Sequence, residues 1–65
     1  MNAIEVLRDK INTNELIIQD TYDILDGIVN ENKVDESREL VAQIEEYIAE
    51  NNELEKAILH LESIE

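Results

Sequence analysis

Residues 39–55 read ELVAQIEEYIAENNELE, with six carboxylates and no lysine or arginine. Around this run Leu40, Ile44, Tyr47, Leu54, Ile58 and Leu61 recur at alternating steps of three and four, with Asn51 filling the gap. This is the a/d pattern of a heptad repeat, and it predicts a helix of roughly 28 residues with one buried face. The opposite face is acidic.

The first half of the chain repeats the pattern. Ile4, Leu7, Ile11, Ile18, Leu25 and Ile28 take a and d positions, with Asn14 and Thr21 as polar members. A continuous helix over about 3–29 follows, then a loop over about 30–35 and a second helix over about 36–64. Gly27 costs roughly 1 kcal/mol inside a helix, so an alternative closes the first helix at Asp26 with Gly27 as its cap. Asp35 or Ser37 suits the N-cap of the second helix. Another alternative breaks the helices at Asn12-Thr13-Asn14 and at Asn51-Asn52, each break capping the next segment.

Two helices of similar length joined by a short loop fold back as an antiparallel hairpin. With the loop centred between Asn32 and Lys33, facing residues have numbers summing to about 65. Asn14 then meets Asn51, and such a buried polar pair fixes register at some cost in stability. The fold class expected is all-α, one domain spanning residues 1–65.

A chain of 65 residues buries only about 60% of its extended surface, which is marginal for a lone core. No cysteine is present to staple it, so oligomerisation is the expected support. The apolar stripe is also wider than one hairpin covers. Ile17, Tyr22 and Ile24 flank it on the first helix, and Val41 and Ile48 on the second, which predicts a homodimer forming a four-helix bundle. Val6 and Leu59 lie outside even this wide stripe, side by side at the open end in the proposed register.

The 17 acids against five bases give a net charge of −12. Acidic chains poor in aromatics often stay unfolded, but here the apolar residues are abundant and periodic, so a folded chain is expected. Direct binding to nucleic acid or to an anionic membrane is disfavoured by repulsion. The N-terminal sequence has no signal-peptide pattern and no apolar run is long enough to span a bilayer, so a cytoplasmic location is expected.

Little in the chain carries chemistry. His60 is the single histidine, and Ala57 stands where a Glu-x-x-His metal motif needs its acid. Asp20, Asp23 and Asp26 before Gly27 have the wrong spacing for a calcium loop. No cofactor, metal site or enzymatic activity is expected.

The charge layout is more informative. Residues 11–32 carry Glu15, Asp20, Asp23, Asp26 and Glu31 with no base, opposite the base-free run of residues 39–55. Helices usually mix signs, because Glu–Lys pairs four apart add a few tenths of a kcal/mol and like pairs subtract as much. Glu46, Glu50 and Glu53 form a row at steps of four and three. Asp20, Asp23, Asp26, Glu39, Glu46, Glu50 and Glu53 are therefore the candidate contacts to a basic, DNA-binding partner. An assembly module that recruits a partner helix through its apolar surface is the alternative; there the acidity only maintains solubility.

In its size, its base-free segments Ile11–Asn32 and Glu39–Glu55 and its lack of a catalytic motif, the whole chain resembles the small, acidic, all-helical DNA-mimic inhibitors encoded by bacteriophages. That resemblance implies a host DNA-binding protein as target, a histone-like protein of the HU type being one such. It further implies that Asp20, Asp23, Glu46, Glu50 and Glu53 stand in for phosphates.

Overall fold

The computed structural model describes residues 2–64. Two helices, α1 (Ala3–Asn30) and α2 (Val34–Ile64), pack as an antiparallel hairpin. Its extents are 50 × 17 × 10 Å, and its radius of gyration is 15.1 Å. A compact 65-residue domain would have a radius of about 11 Å. The molecule is a rod one layer thick.

Both helices run unbroken through their asparagines, because the a/d stripe supplies packing on either side of them. Every a and d position from Ile4 to Ile28 and from Leu40 to Leu61 is buried or half-buried. The heptad frame thus holds along the whole seam, as it does when two helices supercoil. Ile11, Ile44 and Ile58 are its buried apolar members.

The most deeply buried side chain is polar: Asn14 is 0% exposed. Its Nδ2 donates to Asn51 Oδ1 at 2.8 Å and to Glu50 Oε1 at 3.0 Å. The expected register is therefore the one formed. Asn14 Oδ1 is buried without a partner. Turning the amide over would point that oxygen at the Glu50 carboxylate, so Glu50 decides which way the amide faces. Thr21, also buried in the seam, satisfies its hydroxyl by donating to the Ile17 carbonyl one turn back at 2.7 Å.

The connection is shorter than residues 30–35. α1 continues through Gly27 and ends in a Schellman motif. Asn32 N–H donates to Val29 O at 3.0 Å and Lys33 N–H to Ile28 O at 3.2 Å. Asn32 takes the left-handed conformation (φ 60°) that this motif requires at the position usually held by glycine. Gly27 is not that cap, and a Cβ built on it would meet nothing within 4 Å. The second helix begins at Val34, so Asp35 lies in its first turn, where a carboxylate suits the helix dipole. Ser37 is not an N-cap either; its hydroxyl donates back to the Lys33 carbonyl at 2.8 Å. At the other end Asn2 caps α1 by accepting from Glu5 N–H at 2.8 Å.

Asn51→Ala alone leaves a donor of Asn14 unpaired in the seam and should cost about 1–3 kcal/mol. Replacing both Asn14 and Asn51 by leucine should recover that loss or more, while loosening register. Urea unfolding of the three proteins checks this. A double variant less stable than the single one would show that the polar layer is a net stabiliser.

Candidate acidic face

Two inter-helix ion pairs define the sides of the hairpin. Arg8 lies 3.6 Å from Glu62, and Lys10 lies 3.8 Å from Glu50. In heptad terms the first pair joins e positions and the second joins g positions, which flank the seam on opposite sides. Heptad steps from Arg8 and Glu62 reach Glu15, Tyr22 and Val29 on α1 and Glu55, Ile48, Val41 and Val34 on α2. This is the Arg8 flank. Steps from Lys10 and Glu50 reach Ile17, Ile24, Gln43 and Glu36, the Lys10 flank.

The seven candidate acids are all exposed, but they do not share one face. Residues three apart on a helix turn by about 60°. Asp20, Asp23 and Asp26 therefore fan around α1 from the Lys10 flank, across its back, to the Arg8 flank. Glu39, Glu46 and Glu53 share one heptad position on α2 and line the outer edge of the Lys10 flank at intervals of about 10 Å. Glu36 and Asp20 belong to the same side. This side is the acidic face.

The row Glu46–Glu50–Glu53 does not stand free as the spacing suggested. Glu50 turns toward the seam and accepts from Asn14, with Lys10 reaching it from α1. Glu53 is paired with Lys56 at 3.3 Å. Bases just outside the base-free segments thus reach back into them. Glu50 is a structural residue as well as an acid. The signal was its g position beside the seam, three residues before Glu53 but rotated toward α1. Asp20, Asp23, Asp26, Glu39 and Glu46 make no ion pair among the described residues.

The residues expected to cover the wide stripe divide between the flanks. Tyr22, Val41 and Ile48 lie on the Arg8 flank and are exposed, whereas Ile17 (half-buried) and Ile24 (exposed) lie on the Lys10 flank. One face-to-face contact cannot cover both sets. Val34, expected in the loop, joins the first set. Val6 and Leu59 separate likewise: Leu59 shares a groove with Arg8 and Glu55, while Val6 is on the other side in the heptad frame. His60 is exposed on the outer edge of α2.

Among the described residues no three acids or histidines gather into a metal-binding group. No described helix is long and apolar enough to cross a membrane. Comparison with known protein families, characterised proteins and solved structures finds no match.

The dual role of Glu50 separates it from its neighbours. Glu50→Ala should lower stability by about 1 kcal/mol or more, because a buried donor of Asn14 loses its acceptor. Glu46→Ala, with no partner to lose, should change it by less than about 0.5 kcal/mol. Thermal unfolding followed by circular dichroism distinguishes the two; equal effects would remove Glu50 from the seam.

Proposed function

We propose that the chain is an acidic decoy: a DNA mimic that binds the nucleic-acid surface of a basic DNA-binding protein and blocks it, acting as a homodimer. The observation that carries this reading is the set of exposed acids on one side, Asp20, Glu39 and Glu46, none with an ion pair among the described residues. A surface selected for helix stability alone would have paired them with lysines.

Magnitudes support a backbone-like field. A net charge of −12 along a 50 Å rod is one charge per about 4 Å, against one per about 3.4 Å for a single DNA strand and about 1.7 Å for the duplex. One chain by itself approaches the charge spacing of a single strand. Steering by such a field favours fast association at low salt. A histone-like protein of the HU type, whose bases normally neutralise phosphates, is the kind of target implied. Glu50 contributes charge from its seam-bound position, and Asp23 and Asp26 add to the field from the other sides of α1.

Competition against a labelled DNA duplex held by a purified HU-type protein tests the proposal. The chain should displace DNA at low salt and lose about tenfold or more in affinity on moderate salt addition. Neutralising Asp20→Asn, Glu39→Gln and Glu46→Gln together should weaken displacement by a similar factor, with helicity unchanged. Undiminished competition by the triple variant, or none by the native chain, contradicts the decoy reading for this target.

A further inference from the structure

The Arg8 flank changes character halfway along. Its open half carries Arg8, Glu15, Glu55 and Glu62. Its loop half carries Tyr22, Val29, Val34, Val41 and Ile48, which are 50, 54, 58, 41 and 41% exposed. Val29, Val34, Val41 and Ala42 line one groove of about 420 Å³, rimmed by Asn32, Lys33, Ser37, Arg38 and Glu45. Five large apolar side chains on one side of a one-layer rod form a patch of the kind that marks an interaction surface.

We propose that this loop-half patch is an isologous interface with a second copy of the chain, in which the two hairpins overlap only by their loop halves, with the loops pointing in opposite directions. The inference deepens the dimer of the preceding reading and does not depend on DNA mimicry. Three observations select this occupant and this arrangement.

The first is area. The chain exposes 4964 Å², where a compact monomer of 7.5 kDa would expose about 4250 Å². The excess is that of a rod one layer thick, whose flanks no further layer of the same chain covers. The second is charge. Stacking whole flanks with both loops at one end would bring Glu15 and Glu55 of each copy against those of the other. Overlapping the loop halves alone, over about 25 Å, covers all five apolar residues, puts Glu15 at the edge and Glu55 outside, and leaves Asp26 as the one acid of α1 beside the overlap.

The third is the chain's unpaired base. Arg8, Lys10, Lys33 and Lys56 each have a carboxylate partner. Arg38 has none among the described residues, and neither has Glu45; both sit on the rim of the groove. They lie either side of Val41 and Ala42. A two-fold axis passing beside Val41 and Ala42 runs α2 antiparallel to its copy, with small Ala42 at the crossing. Arg38 of each copy then comes level with Glu45 of the other. The acidic Lys10 flanks remain on the two outer faces.

Sedimentation equilibrium of the full chain, without any partner, tests the proposal. At concentrations of about 100 µM the native chain should have twice the 7.5 kDa chain mass. Arg38→Glu and Glu45→Arg should each weaken self-association by about tenfold or more, since each sets like charges together at two symmetric sites. The double variant R38E/E45R should restore it, and circular dichroism should show every variant equally helical. A helical monomer at this concentration would overturn the proposal and leave the groove to a different occupant. A dimer indifferent to both single reversals, or a double variant weaker than either, would overturn the interface. Because no DNA-binding protein is present, these outcomes are independent of the decoy test.

Discussion

The hydrogen bonds from Asn14 to Asn51 and Glu50 are the constraint on which the rest of the hairpin depends. Aliphatic seams slide: Ile11, Ile18, Leu54 and Ile58 would pack acceptably one heptad out of step. An amide with no exposure does not, because any other register strands it against hydrocarbon at a cost of about 1–3 kcal/mol. The unpartnered Oδ1 of Asn14 shows that the layer is not free of cost even in the native register. Its value is specificity. Once it is set, the loop length, the ion pairs at Arg8 and Lys10 and the composition of both flanks follow.

That division of flanks gives a short chain two unlike surfaces. On the Lys10 flank, α2 presents Glu36, Glu39, Glu46 and Glu53; on the Arg8 flank, the same helix presents Val34, Val41 and Ile48. The two sets occupy opposite sides because both repeat every seven residues with different phases. Such an arrangement allows self-association on one side without neutralising or hiding the acids on the other.

Most of the architecture was legible in the residues. The a/d stripe, the continuity of both helices and the meeting of Asn14 with Asn51 follow from heptad spacing and the place where the apolar pattern lapses. The turn was less so. Gly27 drew attention as a cap, whereas Asn32 tolerates the left-handed conformation well enough to serve, and placing the turn there lets Val34 resume the heptad. The N-cap at Asn2 had a signal in Glu5 three residues later. The acidic surface was read by counting charges along the sequence, which does not distinguish Glu46, pointing outward, from Glu50, turned to the seam. Spacing by fours and threes also merged positions that differ in phase around the helix, so Glu46, Glu50 and Glu53 looked like one free row. Phase around the axis, more than density along it, separates the face from the seam.

The side-chain amide of Asn14 offers the most direct test of this account, because a buried, doubly bonded carboxamide has a distinct signature in nuclear magnetic resonance. Its two protons should exchange slowly with solvent and show cross-helix contacts to the side chains of Asn51 and Glu50. A carboxamide exchanging at the rate of an exposed asparagine, with no contact to α2, would contradict the polar layer, and with it the register and the two flanks built upon it.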